Sequence, residues 1–172
     1  MSVMIPAWVG DTLTPVEKMD VHRRGLPHKA ISVFVMRGTR TLIQRRALSK
    51  YHTPGLWANT CCTHPNWGET ALDCAGRRLG EELGITGLSL RHRGRVSYRA
   101  DVGGGLIEDE RVEIYTADAP KSMPLVPNPD EVAEARWIDL AELSAEIAAA
   151  PQRFTPWLRI YLADHAEAIF AA

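Results

Sequence analysis

The chain has 172 residues and a formal net charge of −1, from 20 basic and 21 acidic side chains. This length suits one domain, predicted to span residues 1–172, and is enough to bury about two-thirds of the unfolded surface. The balanced charge excludes a global basic field that would attract nucleic acid, so we expect a small ligand, with any anion met by local Lys and Arg residues.

Cysteine usage and the N-terminal residues bear on the compartment. Three cysteines, two of them adjacent at Cys61 and Cys62, form neither a disulfide framework nor a C-x-x-C zinc pair. The first six residues have no basic segment followed by an apolar one, and no run of about 18 apolar residues occurs. We therefore expect a protein of the reducing cytoplasm that is neither secreted nor membrane-spanning.

The first half of the chain contains one clear hairpin and one clear helix. Apolar and β-branched runs at 30–36 and 41–44 flank a short turn and predict two core strands. Apolar residues then recur at three- and four-residue steps over 70–83, and Gly84 is a natural stop, so this segment is predicted to be an amphipathic helix.

The second half continues the mixture of strands and helices. A strand near 95–98, a triple-glycine turn and a strand over 106–117 predict a second hairpin. A short strand at 137–138 and helices near 140–149 and 157–170 follow. The mixture predicts an α+β fold in which a sheet lies between helices.

The predicted helix 70–83 carries two opposite charges four residues apart. Arg78 and Glu82 are neighbours on the helix surface, so they can pair or present charge jointly to a ligand. A solvated, salt-bridged face is the alternative interpretation.

The same helix lies within a longer motif at residues 63–85. The pattern is G-x5-E-x7-R-E-U-x-E-E-x-G-U, where U is an aliphatic residue, and this stretch resembles the box of the Nudix hydrolases. The resemblance implies a Nudix-like α/β/α sandwich with a central mixed sheet. The matching residues are Glu69, Arg77, Glu81, Glu82, Gly84 and Ile85.

Two positions depart from that pattern. Thr63 replaces the first glycine, and Arg78 replaces the glutamate that follows Arg77. One of the three helix carboxylates that the resemblance assigns to Mg2+ binding is therefore missing. The departure points away from hydrolysis.

Two glutamates and three histidines are candidate metal ligands. Glu108 and Glu110 share one face of the predicted strand, where two ionised carboxylates would repel unless a metal or a shared proton intervened. With His22, His28 and His64 they would form a mixed N/O site suited to Mn2+, Mg2+ or Zn2+. The alternatives are an exposed acidic edge and structural histidines.

One of the adjacent cysteines is a candidate for proton transfer. On an extended chain Cys62 shares the face of His64, whereas Cys61 points the other way and is expected to pack in the core, as Cys74 is. A nearby metal or cation would lower the thiol pKa of Cys62. A buried, inert thiol is the alternative.

Short motifs spread over nearly the whole chain carry a more specific resemblance. They are EK at 17–18, RRALSK at 45–50, WANTCCTHP at 57–65, GE at 68–69, RR at 77–78, ELG at 82–84, YRA at 98–100, EDE at 108–110 and FTPW at 154–157. In these the chain resembles the type I isopentenyl-diphosphate delta-isomerase family, the metal-dependent Nudix-fold isomerases of isoprenoid biosynthesis.

That resemblance implies interconversion of isopentenyl diphosphate and dimethylallyl diphosphate by protonation and deprotonation through a carbocation-like intermediate. Cys62 and Glu110 would be the acid/base groups on opposite sides of the substrate. Tyr98 would hydrogen-bond the catalytic carboxyl, and Trp157 would cap the pocket and stabilise positive charge.

The resemblance also implies three ligand sets. One divalent metal, Mn2+ or Zn2+ among the candidates, would bind to His22, His28, His64, Glu108 and Glu110. A second, Mg2+, would meet Glu82 and the main-chain carbonyl of Cys62. The diphosphate would be gripped by Lys18, Arg46, Lys50 and Arg78.

Two other functions compete with this one. A Nudix-type diphosphate hydrolase is disfavoured by Arg78 and has no use for a pair such as Cys62 and Glu110. A non-catalytic Nudix-like binding module would not require that pair together with five potential ligands. The sequence leaves the oligomeric state open, and the histidines outside every motif are expected to be surface or structural residues: His52, His92 and His165.

Overall fold

Nine strands form one mixed sheet in the computed structural model, which describes residues 1–172. The strands are Met4–Val9 (β1), Thr12–Glu17 (β2), Pro27–Arg37 (β3), Arg40–Arg46 (β4), Trp57–Ala58 (β5), Cys61–Thr63 (β6), Arg91–Gly103 (β7), Leu106–Asp118 (β8) and Val132–Asp139 (β9).

Five helices flank the sheet. The second of them begins where the side chain of Thr70 accepts a hydrogen bond from the Asp73 backbone N–H, and it ends at Gly84, whose φ of 66° is left-handed. The helices are Lys18–Arg24 (α1), Ala71–Leu83 (α2), Leu140–Ala149 (α3), Pro156–Asp164 (α4) and Ala166–Phe170 (α5), with a 3-10 turn at Pro151–Arg153.

Strand β3 is the hub of the sheet. It pairs antiparallel with β1, β4 and β6 and parallel with β8, which in turn pairs antiparallel with β7. The β3–β8 register places His28 beside Glu110, and the β7–β8 register places Tyr98 on the other side of Glu110. Strand pairing thus brings together residues that are far apart in sequence.

The two faces of the sheet are covered by separate apolar clusters. Phe34 and Ile114 pack on one face with Tyr161 of α4. Ile31 and Val33, which point to the opposite face because side chains alternate along β3, pack with Leu79 of α2. Helices on both sides of a mixed sheet confirm the predicted α+β fold with three layers.

The predicted elements are all present, and several are longer than expected. Strand β9 extends well beyond residues 137–138, and the predicted helix 157–170 is divided into α4 and α5 at His165, where the backbone leaves helical geometry. The strands β1 and β2 and helix α1 were not predicted. Pro15 lies in β2, which tolerates it because β2 is an edge strand.

None of the helices combines the length and the apolar character that crossing a membrane requires.

Candidate active site

Three buried histidines from three elements meet at one end of the sheet. His22 lies on α1, His28 on β3 and His64 directly after β6. Their ring centroids are 4.9 to 5.1 Å apart. Helix α1 is only 7 residues long and ends at Gly25 in a left-handed conformation, so the chain turns back into β3 and places His28 against His22.

The backbone orients two of these rings. Nδ1 of His22 is 2.6 Å from the carbonyl oxygen of Lys18, and Nδ1 of His28 is 2.7 Å from that of Leu26. A carbonyl oxygen only accepts, so each Nδ1–H donates and each Nε2 carries the lone pair. Both Nε2 atoms are buried without a hydrogen-bond partner, which is the orientation of metal-binding histidines.

The two strand glutamates face these rings. Oε1 of Glu108 is 3.8 Å from Nε2 of His22, while Oε1 of Glu110 is 3.6 Å from Nε2 of His28 and 3.0 Å from Nε2 of His64. Glu108 and Glu110 are 2% and 6% exposed, so the alternative of an exposed acidic edge is wrong. Buried imidazole nitrogens and carboxylate oxygens at these separations fit a divalent metal ion.

A tyrosine connects the two carboxylates. The hydroxyl oxygen of Tyr98 is 2.6 Å from Oε2 of Glu108 and 2.8 Å from Oε2 of Glu110, so its one proton is shared between them. Burial and the two carboxylates raise the pKa of Tyr98 well above its usual value. Burial alone would raise the pKa of Glu110, but the nearby imidazole of His28 and the hydrogen bond from Tyr98 hold it below the usual range.

The two adjacent cysteines separate as predicted. Cys61 is fully buried in the cluster beneath α2, which also contains Cys74, whereas Cys62 lines the cavity that contains Glu110. Burial raises the pKa of Cys62 to about 12, and the opposing effect of Arg46 is smaller. Arg46 lowers this pKa, as expected of a nearby cation, but burial outweighs it, and without a metal ion the thiol is protonated at neutral pH.

Four cations surround the same cavity, which measures about 30 Å³. Burial, reinforced by repulsion from the other three, lowers the pKa of Lys18 to about 8. A second cavity of about 210 Å³ adjoins the first and is also lined by Lys18 and Lys50. The predicted catalytic and diphosphate-binding residues all line the smaller cavity: Cys62, Tyr98, Glu110, Trp157, Lys18, Arg46, Lys50 and Arg78.

The predicted pair on α2 is formed. Nη2 of Arg78 donates to Oε1 of Glu82 at 2.7 Å, and Glu82 is only 5% exposed, so the alternative of a solvated face is wrong for this residue. Two partners were missed by the sequence analysis. Gln44 donates to Glu82 at 2.9 Å, and Glu131 lies 3.2 Å from Arg78 and 2.6 Å from Lys50. The available signal was Gln44, a polar residue that directly follows the apolar residues Leu42 and Ile43 of β4.

A fourth histidine also belongs to the site. His52 was expected at the surface or in a structural role, but it is 4% exposed and its Nε2 is 2.7 Å from Oε1 of Glu108. The surface alternative is therefore wrong for His52, since the loop between β4 and β5 turns the side chain inward. His92, by contrast, is a surface residue 2.6 Å from Glu113.

The fold and the box on α2 define the class of protein. The family model described as NUDIX domain matches residues 26–158. The crystal structure of DR0079 from Deinococcus radiodurans aligns over 92% of this chain and 96% of that chain, with a TM-score of 0.74 and 17% identity. A MutT NUDIX hydrolase from Burkholderia pseudomallei aligns over 79% and 95%, with a TM-score of 0.62 and 26% identity.

Closer similarity is found among proteins named isopentenyl-diphosphate Delta-isomerase. The one from Dinoroseobacter shibae is 64% identical over 99% of this chain and 97% of its own length. Those from Cereibacter sphaeroides and Ruegeria pomeroyi are 65% and 59% identical, each over 99% of this chain and over 96% and 94% of their own lengths. The chain belongs to the isopentenyl-diphosphate Delta-isomerase family of NUDIX domain proteins, which confirms the predicted resemblance.

Proposed function

We propose that this protein is a metal-dependent isomerase that interconverts isopentenyl diphosphate and dimethylallyl diphosphate in isoprenoid biosynthesis. The observation that carries the proposal is that Cys62 and Glu110, two groups able to exchange protons, line one buried cavity. Moving a double bond by one position requires a proton to be added at one carbon and another removed at C2. Hydrolysis of a diphosphate has no use for such a pair.

The acid and the base have different strengths. Protonating an unactivated alkene requires a strong acid, and Glu110, whose pKa is held below the usual range, is a stronger acid when protonated than a thiol with a pKa of about 12. We therefore propose a reactive form in which Glu110 carries the proton and Cys62 is a thiolate. Glu110 gives its proton to one carbon and Cys62 takes a proton from C2, which leaves Glu110 ionised and Cys62 protonated. The reverse reaction uses the same two groups with the roles exchanged.

Metal binding is the second part of the proposal. His22, His28, His64, Glu108 and Glu110 would hold one ion, for which mixed nitrogen and oxygen donors favour Mn2+, Mg2+ or Zn2+. When bound, this ion supplies positive charge that neutralises the two carboxylates and strengthens the acidity of a coordinated carboxyl group. A second ion, Mg2+, would be bound with the substrate and held by the residues that remain: Glu82 and the main-chain carbonyl of Cys62.

The diphosphate is assigned to the cations at the cavity mouth. Lys18, Lys50 and Arg78 line both the 30 Å³ cavity, called the inner cavity, and the adjoining 210 Å³ cavity, called the outer cavity. Arg46 lines the inner cavity only. Charge-assisted hydrogen bonds from such groups are the usual means of holding phosphate oxygens. The proposed partner is therefore a small diphosphate and not a nucleic acid. The cysteine usage of the chain supports the cytoplasm as the compartment of the protein.

The intermediate must be kept from water. The inner cavity of about 30 Å³ has room for about one water molecule, so side chains at its mouth must move when substrate enters. Trp157, 2% exposed, forms part of its wall. A desolvated cation over an indole ring gains on the order of 2 kcal/mol, which supports a role for Trp157 in stabilising the carbocation-like species.

The deciding experiment follows isopentenyl diphosphate by NMR in D2O with Mg2+ and Mn2+ present. The expected result is dimethylallyl diphosphate with deuterium at the allylic positions. Release of inorganic phosphate or of isopentenyl monophosphate would indicate a hydrolase instead. No reaction by folded, metal-loaded protein would favour a non-catalytic binding module.

A further inference from the structure

The loop between β4 and β5 contributes an imidazole that neither the NUDIX motif nor the predicted ligand set includes. His52 has a side chain that is 2% exposed, and its ring centroid is 5.7 Å from that of His22. Its ring also packs edge-on against Trp157, at 5.8 Å between centroids. His52 is therefore part of the same buried histidine cluster as His22.

The ring of His52 is held through Nδ1, as are those of His22 and His28, but its partner is a hydroxyl group and not a backbone carbonyl. Nδ1 is 2.8 Å from Oγ1 of Thr53, and Nη2 of Arg46 donates to the backbone carbonyl of His52 at 3.2 Å. Thr53 has a φ of 45°, the only left-handed non-glycine residue in the chain, and threonine adopts this conformation at a cost. Thr53 directly follows His52, whose Nε2 points inward, toward Glu108.

Nε2 of His52 is buried without a hydrogen-bond partner, as are Nε2 of His22 and His28. Glu108 is close, with Oε1 2.7 Å from Nε2, but this oxygen lies off the direction in which the ring would donate a proton. The nitrogen points inward among carboxylates, and no protein acceptor lies along the direction of its lone pair or N–H bond. This is the environment of a metal ligand rather than of a simple hydrogen-bond donor.

The separations place His52 beside two of the predicted ligands, because the ligand atoms of His22, His52 and Glu108 all lie within 4.8 Å of one another. Neighbouring ligands of an octahedral ion with bonds of about 2.1 Å are about 3.0 Å apart, and opposite ligands about 4.2 Å apart. Nε2 of His52 lies 2.7 Å from Oε1 of Glu108. Nε2 of His64 and Nε2 of His28 lie 3.0 and 3.6 Å from Oε1 of Glu110, and Nε2 of His22 lies 3.8 Å from Oε1 of Glu108. The last three lie at or between the two octahedral values, and the separation of His52 from Glu108 is slightly shorter than the lower one.

We propose that His52 is the sixth ligand of the metal centre, completing an octahedral sphere of four imidazoles and two carboxylates. This inference rests on the metal centre of the proposed function. Six protein donors leave no coordination position for water. Such a closed centre suits an isomerase, because a metal-bound water next to a carbocation-like intermediate would be a competing nucleophile.

The test adds Mn2+ to the metal-free, full-length protein and counts the coordinated imidazole nitrogens by pulsed EPR. The wild-type protein is expected to show four, and His52→Gln three, with an affinity for Mn2+ lower by about tenfold or more. Water proton relaxation is a second measurement. It should be slow in the wild type and faster in His52→Gln, because water enters the vacated position. His92→Ala, which alters an exposed histidine, should match the wild type in every respect.

Three imidazoles in the wild type, or identical spectra and relaxation in the wild type and His52→Gln, would overturn the sixth-ligand assignment while leaving the five-ligand centre intact. Three imidazoles in the wild type, together with weaker Mn2+ binding by His52→Gln, would also overturn the assignment. His52 would then be a residue that positions Glu108. A wild-type protein that binds neither Mn2+ nor Zn2+ would refute the metal centre itself. The wild-type count decides the question even if His52→Gln does not fold.

Discussion

Nη2 of Arg78 donates a 2.7 Å hydrogen bond to Oε1 of Glu82, one turn further along α2. Arg78 occupies the position at which the NUDIX box requires a glutamate, and Glu82 is a glutamate that the box retains. A cation therefore stands where the box has a carboxylate, and it forms a hydrogen bond with the neighbouring glutamate. The pair adjoins Lys50 through Glu131, so the anion-binding side of the cavity is a connected network of charges.

Replacing Arg78 tests its assignment to the diphosphate. Charge-assisted hydrogen bonds contribute about 1.5–3 kcal/mol each, so Arg78→Gln should raise KM by about tenfold to a hundredfold. Steady-state kinetics with isopentenyl diphosphate measure the change. Arg91→Gln is the control, because Arg91 forms an exposed pair with Asp118 at 2.8 Å, and it should leave KM unchanged. An unchanged KM in Arg78→Gln would remove Arg78 from the binding site.

The adjacent cysteines form a matched pair for testing proton transfer. Cys62→Ala should lower kcat by about 10²- to 10⁴-fold, the usual contribution of a positioned acid or base. Cys61→Ala should retain activity and lose about 1 kcal/mol of unfolding free energy, because Cys61 packs in the core beneath α2. Turnover and thermal unfolding of both variants give the comparison. Equal kcat in the two variants would show that the thiol of Cys62 takes no part in the reaction.

Tyr98→Phe removes the proton shared by the two carboxylates while keeping the ring, which packs edge-on against Tyr161 at 6.2 Å. Hydrogen bonding from Tyr98 helps to keep the pKa of Glu110 low, so its loss should raise that pKa and weaken Glu110 as an acid. We expect kcat to fall at least about tenfold with little change in KM. A rise in KM at constant kcat would instead indicate a role in substrate binding.

We expect Lys18 to set an alkaline limit on activity. Burial, with repulsion from Lys50, Arg78 and Arg46, lowers its pKa from 10.5 to about 8, so the cation is lost as the pH rises through about 8. We expect kcat/KM, which reports groups of the free enzyme, to fall above that pH. Lys18→Arg should move the decline to higher pH, since guanidinium remains charged. An unshifted decline in this variant would assign the limit to another group.

The lowered pKa of Lys18 should make stability rise with pH, whereas activity should fall. Between pH 8 and 10.5 the unfolded chain binds more protons at Lys18 than the folded protein does, so this residue makes the free energy of unfolding rise with pH across that window. Denaturant unfolding of the wild type and Lys18→Met at pH 7 and 10 measures it. The stability advantage of Lys18→Met should be greater at pH 7, and an equal advantage at both values would contradict the shift.

Local patterns predicted much of the site because they depend only on backbone periodicity. Side chains alternate along a strand, so Glu108 and Glu110 had to share a face, and Cys61 and Cys62 had to point apart. Arg78 and Glu82 had to be neighbours because a helix repeats every 3.6 residues. The role of Glu131 escaped prediction, since it lies 81 residues from Lys50 and nothing in the local sequence relates the two.

By itself the sequence determined the hairpins, the amphipathic helix and the motifs that mark the family, because periodicity and spacing are local properties of the chain. The tertiary structure alone decided that His28 lies beside Glu110, through the parallel register of β3 and β8, and that His52 faces Glu108. Both are contacts between distant segments. Sheet register and loop conformation are selected by burial over the whole fold, and no short stretch of sequence encodes them.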